Sequence, residues 1–202
     1  MSGSGELFAN NFYHLEGGVT GLDQALSSHY FGVLRDNVDW IEGVRSRFRG
    51  FTRLARPIVD ELELTMTAEG ALVSLFEAAL VRLYETGCLT MPPGGIADVK
   101  LHGIYLNYYR DGEMYTPAHR HVGRQSAGDV GGANVSQDTT QIIISLGGER
   151  TLTVGSKSYP VRNGDIVVLK SQLHGVPKAD HAEPRISVVA FVDKKTVHDP
   201  SS

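Results

Sequence analysis

The chain holds a single cysteine, Cys88, in 202 residues, so no internal disulfide can form. A reducing compartment, the cytoplasm, is therefore expected. A lone cysteine is more often a small packed residue than a nucleophile. No run of 18 or more apolar residues occurs, so the sequence offers no membrane-spanning helix. The opening MSGSGELFANNFYH has neither the basic start nor the apolar centre of a secretory signal. A basic excess is also missing: 19 Lys and Arg against 23 Asp and Glu give a formal charge of −4. That argues against a protein that coats nucleic acid through its net charge, while a local basic patch stays compatible with it. There is no internal repeat. The composition, 41% apolar and 21% charged residues, is the ordinary one of a single globular domain. The expected organisation is a flexible start over 1–19, one domain over 20–193 and a tail over 194–202.

Along the chain, a short helix is predicted from Gly21 to about Leu34, with Thr20 as its cap and Leu22, Leu26 and Tyr30 on one face. The segment RSRFRGFTRLAR (45–56) interleaves Arg45, Arg47, Arg49, Arg53 and Arg56 with Phe48 and Phe51. It reads either as a solvated helix or loop, or as a grip on a phosphate backbone. A second helix is predicted over 68–86, where Leu72, Leu75, Phe76, Ala79, Leu80 and Leu83 recur at the helical period between a Thr67 cap and Gly87. MPPGG (91–95) breaks the chain, and the sequence beyond it reads as strands: 97–109, 140–147, 150–154, 158–161, 165–170 and 186–192. GSK (155–157) and RNGD (162–165) are turn signals. Helices first and short, Gly-punctuated strands later predict an α+β fold: a double-stranded β-helix, or jelly roll, buttressed by N-terminal helices. VGRQSAGDVGGANVSQD (122–138) is a long polar loop, readable as an active-site lid or as an insertion.

The chemistry concentrates in His119-Arg120-His121, His174 and Arg185. In an extended strand residues i and i+2 share a face, so His119 and His121 can grip one cation, with His174 as a third ligand. This is close to the two-His, one-carboxylate plan of non-haem iron oxygenases, except that His121 stands where that plan has an acid. Arg185 opens the run RISVVAF, and a buried arginine there wants a carboxylate, which a dicarboxylate co-substrate would supply. The competing reading is a surface HRH and a loop His174; spacing alone leaves both open.

Four blocks in order bear on that choice: LNYYRDGEMYTPAHRH (106–121), IIISLGGERTLTV, NGDIVVLKSQLHGVPK and PRISVVAF. Together they resemble the AlkB-like family of Fe(II)/2-oxoglutarate-dependent dioxygenases over about 104–193. The resemblance implies Fe(II) on His119 and His174, with His121 in the place of the family's aspartate. It implies 2-oxoglutarate as co-substrate, with Arg185 on its distal carboxylate and Asn107 and Tyr109 as hydrogen-bond partners. Two departures stand out: the acid is replaced by His121, and the family's second arginine falls at Phe191. Asp129 or Asp138 from the loop is an alternative third ligand. Gly112, the H-x-H pair, Gly164 and His174 also echo the cupin pattern, in which three histidines hold iron without 2-oxoglutarate; its glutamate would fall near Gln125. A binding module that kept the fold without catalysis is the third reading. The implied substrate is a small molecule or a nucleic acid, a nucleobase among them, with Trp40, Tyr105, Tyr108 and Tyr115 as candidates to clamp a flipped base.

Overall fold

The structure, a computed structural model, describes residues 12–38, 40–42, 47–51, 68–89, 92–99, 101–120, 139–170 and 172–193. Strand β1 (Tyr13–Leu15) is followed by helix α1 (Gln24–Asn37), β2 (Ile41–Glu42), β3 (Arg47–Phe51) and helix α2 (Ala68–Glu85). After a 3-10 turn at Gly95–Asp98 come β4 (Leu101–Tyr109), β5 (Thr116–His119), β6 (Thr139–Gly147), β7 (Arg150–Val154), β8 (Lys157–Val161), β9 (Ile166–Leu169), β10 (His174–Val176) and β11 (Arg185–Asp193).

The strands form two antiparallel sheets, one in the order β1-β9-β6-β11-β4-β3-β2 and one in the order β5-β10-β7-β8. From β4 onward the chain shuttles between them: β4, β6, β9 and β11 lie in the larger sheet, and β5, β7, β8 and β10 in the smaller. Both faces of the larger sheet are buried at β4, β6, β9 and β11. Side chains alternate along a strand, so Ile104, Leu106, Ile142, Ile144, Leu146, Ile186, Val188 and Ala190 pack under the helices. Their neighbours Tyr109, Ile143 and Val167 turn the other way and meet Leu152, Val154 and Val176 of the smaller sheet. A strand buried on both sides reads as a continuous apolar run, which is why IIISL and ISVVAFV lack polar alternation.

The second helix forms where its apolar period predicts. Leu72, Leu75, Leu80 and Leu83 are buried against α1 and the sheet, each contributing about 1.5–3 kcal/mol. Gly87 at φ 73° leaves the helix through the left-handed region that glycine enters without strain; Thr67 lies outside the described residues. The first helix starts three residues later than the sequence suggests. Its cap is Asp23, whose Oδ1 accepts from the Leu26 N–H at 3.0 Å, and its buried face is Ser27, Tyr30 and Leu34. Thr20 instead accepts from the Glu16 N–H in the turn before it, at 3.0 Å.

Two expectations change. Residues 13–15, inside the stretch read as a flexible start, form an edge strand on β9, with Phe12 and Leu15 buried. Within the arginine-rich 45–56 segment, 47–51 is neither helix nor loop but strand β3 on β4. Pairing with a strand more than fifty residues away outweighs local polarity there; residues 43–46 and 52–56 lie outside the described residues. The tail at 194–202 and the loop at 122–138 lie outside them too. No helix among the described residues is long and apolar enough to cross a membrane.

Candidate metal and carboxylate site

Strands β5 and β10 are antiparallel neighbours, and His119 stands opposite His174 across them. Their ring centroids are 4.5 Å apart at 50°. His174 also stands opposite Val154, which packs between the sheets. Side chains opposite one another in an antiparallel pair share a face, so both rings turn toward the space between the sheets. Each Nδ1 lies 2.9 Å from the carbonyl oxygen two residues earlier, of Pro117 for His119 and of Gln172 for His174. A carbonyl can only accept, so Nδ1 carries the proton and Nε2 the lone pair. That tautomer, held by a main-chain carbonyl, suits an imidazole that is to ligate a cation through Nε2. Burial pulls the His174 pKa down to about 4, the Gln172 carbonyl works against this, and the field of His119 adds to it. His174 is therefore a neutral donor at neutral pH.

His121, Asp129 and Asp138 lie outside the described residues. Among the described residues no three His, Cys, Asp or Glu side chains gather as a metal group. The structure thus brings together two of the three histidines predicted to share a metal.

Arg185 opens β11 opposite Tyr109 of β4 and Gly147 of β6. It is 1% exposed. Its Nε donates to Ser145 Oγ at 2.8 Å, its guanidinium lies 5.4 Å from the Tyr109 ring centroid, and its Nη1 has no hydrogen-bond partner. Burial lowers its pKa to about 10, with Tyr109 opposing, Arg150 adding to the drop and Asp165 opposing. It stays a cation at neutral pH. A buried cationic N–H without an acceptor costs stability unless a ligand supplies one, and a carboxylate oxygen is the strongest acceptor for it.

The Tyr109 hydroxyl lies 2.7 Å from Thr116 Oγ1, which ties the larger sheet to β5. Asn107, two residues earlier on β4 and so on the same inner face as Tyr109, is half-buried opposite Ser187. Phe191, where the resemblance expects a second arginine, is buried and meets Tyr105 edge-on at 5.3 Å. Of the aromatic candidates, Tyr108 and Trp40 pack on each other at 5.0 Å on the helix side of the sheet, away from the histidines. The even position of Tyr108 dictates this. Tyr115 lies under the Lys178 ammonium at 5.7 Å. Cys88 is buried, which pushes its thiol pKa up and away from reactivity.

Three residues went unassigned in the sequence: Ser145, Thr116 and Arg150. Ser145 was findable, because Ser145, Ser187 and Arg185 are all odd positions facing inward on adjacent strands. Arg150 and Thr116 gave no such signal: the acceptors of Arg150 are main-chain carbonyls, and Thr116 lies in the other sheet from its partner Tyr109.

No protein-family model matches the chain, and no curated protein matches its sequence. Solved structures do match it in fold. SnoN, a non-haem 2-oxoglutarate-dependent epimerase of nogalamycin biosynthesis, aligns over 91% of this chain and 78% of its own, at 13% identity and TM-score 0.56. HygX from Streptomyces hygroscopicus, solved with nickel and 2-oxoglutarate bound, aligns over 91% and 83%, at 11% identity and TM-score 0.56. A prolyl hydroxylase from Trichoplax adhaerens, solved with a peptide fragment of hypoxia inducible factor, aligns over 93% and 85%, at 12% identity and TM-score 0.51. The chain shares the fold of 2-oxoglutarate-dependent oxygenases.

Proposed function

We propose that this chain is an Fe(II)- and 2-oxoglutarate-dependent oxygenase built on a double-stranded β-helix, of AlkB-like type, with three histidines at its metal. One observation carries the reading: a histidine pair locked in the metal-donor tautomer shares the inter-sheet space with a buried arginine whose Nη1 lacks an acceptor. The fold of SnoN and HygX and the ordered sequence blocks support it.

His119 and His174 would hold the metal through Nε2, and His121 would complete the set. Iron so held would supply, with 2-oxoglutarate and oxygen, the oxidation that hydroxylates or demethylates an organic substrate. The chain's own part is binding and exclusion. Arg185 would take the distal carboxylate on Nη1 while Ser145 fixes its Nε, so the guanidinium is aimed before the co-substrate arrives. Tyr109 lies against that guanidinium and is itself fixed by Thr116, and Asn107 lines the same inner face. Leu152, Val154 and Val176 keep water from the space between the sheets. Three neutral imidazoles leave the full +2 on the metal, which favours a dianionic co-substrate.

The substrate class is an organic molecule, a nucleobase among the candidates. The interleaving of arginines with Phe48 and Phe51 in the 45–56 sequence supports nucleic acid. The reading is tested by calorimetry with Fe(II) or Ni(II) and 2-oxoglutarate, and by succinate release. Binding of both, lost in Arg185→Met for 2-oxoglutarate alone, is expected. Metal binding with oxygen uptake independent of 2-oxoglutarate would move the chain to a cupin-like three-His dioxygenase. Metal binding with neither activity would leave a non-catalytic module.

A further inference from the structure

Arg150 opens β7 and is 2% exposed, yet every hydrogen bond it makes goes to a main-chain carbonyl. Nη1 donates to Asp111 O at 3.0 Å, and Nη2 donates to Met114 O at 2.8 Å and to Pro177 O at 2.7 Å. Asp111 and Met114 belong to the turn that leads from β4 into β5, which ends in His119. Pro177 is the first residue beyond β10, which begins with His174. One planar fork therefore holds the segments that adjoin both strands of the histidine pair. The two held segments also touch each other: Ala179 N–H donates to Gly112 O at 2.9 Å, and a Cβ at Gly112 would come within 2.0 Å of Ala179 O.

Burying a cation against neutral carbonyls, with Nε unpartnered, is costly, and burial lowers the Arg150 pKa accordingly. The Tyr109 ring lies 5.3 Å from the Arg150 guanidinium and offsets part of the cost of burying it. An apolar side chain of similar length would avoid that cost but leave the three carbonyls without their donor. What the apolar chain would not supply is a rigid fork with acceptors in two separate segments.

We propose that Arg150 is a positioning residue for the metal site: by fixing the turn before β5 and the chain after β10, it sets how His119 and His174 face each other. The proposal rests on the metal reading of that pair. The test is Co(II) titration of the full chain, followed by calorimetry and by the visible absorption of the bound ion. The variants are Arg150→Met, Arg150→Lys, His119→Ala, and Leu80→Ala as a destabilised control in the helix layer.

Arg150→Met is expected to weaken Co(II) binding by about 10-fold or more and to change the absorption band, as loss of outer-sphere support does elsewhere. Arg150→Lys is expected to recover part of both. Leu80→Ala should lower the thermal midpoint without moving either. Wild-type affinity and spectrum in folded Arg150→Met overturn the proposal, as does an equal loss in Leu80→Ala. Should Arg150→Met not fold, wild-type behaviour of Arg150→Lys overturns it instead. If the wild type binds no Co(II), or His119→Ala binds as tightly as wild type, the metal reading itself falls and the proposal with it. Binding lost in His119→Ala but unchanged in the Arg150 variants removes the proposal alone.

Discussion

Burial opposes the charge that Arg185 keeps and holds His174 neutral, and each has a measurable consequence. Arg185 is fully buried, stays charged and leaves Nη1 without an acceptor. Replacing a buried charge by an apolar side chain of similar volume is often neutral or stabilising. Arg185→Met is therefore expected to keep or raise the thermal midpoint while abolishing 2-oxoglutarate binding, read by thermal denaturation and calorimetry on the same preparation. A drop of many degrees would show that the arginine serves the fold instead. Ser145→Ala has the opposite sign, because it leaves Nε orphaned as well: about 1–3 kcal/mol of lost stability in urea unfolding. For His174 the folded pKa of about 4 lies below the ordinary 6.5. As pH falls below 6.5 the unfolded chain takes up the proton first, so stability present above 6.5 is lost progressively toward pH 4. In metal-free protein, wild type should lose roughly 2–3 kcal/mol more between pH 7 and pH 4 than His174→Gln does, by urea unfolding at each pH. Equal losses would contradict this account of its burial.

At the scale of elements, what the sequence made legible followed the strength of local pattern. Residues 68–85 carry a complete apolar stripe with a glycine exit, and the helix falls there within a residue of its predicted range. The inner strands were legible because both faces are apolar, and Arg185 stood out as the charge that opens one. The first helix was misplaced at its start because Thr20 and Asp23 both offer caps; Thr20 is engaged by the Glu16 N–H, and the Leu22 N–H is taken by the Gly164 carbonyl, which leaves the helix to begin after Asp23. Asp23→Ala should cost about 1 kcal/mol, seen as a lowered urea midpoint with the slope unchanged. Strands β1 and β3 were not legible as such. They are short, and their pairing depends on partners far away in sequence. Arg150 was invisible for the same reason: its acceptors are main-chain carbonyls, which no side-chain pattern encodes.

On the scale of the whole molecule, the edge and the centre of the larger sheet come from opposite ends of the described chain. Strand β1 is fastened to the turn before β9 by Asp165, whose carboxylate lies 2.7 Å from His14 Nε2 and accepts the N–H groups of Gly17 and Arg162 at 2.7 and 2.9 Å. The middle of that sheet is β11, which has β6 on one side and β4 on the other, nine residues of each or nearly so in register. The ribosome makes β11 after every other described strand, yet β4 and β6 have no pairing with each other to form beforehand. A nascent chain stopped before Pro184 therefore lacks the strand that joins its two halves and should stay protease-sensitive on the ribosome. Released chains should refold slowly, on the millisecond-to-second scale typical of non-local β topologies. Arg185, the residue proposed to receive the co-substrate, begins that same strand, so during synthesis the carboxylate pocket and the folded state become available in a single late event.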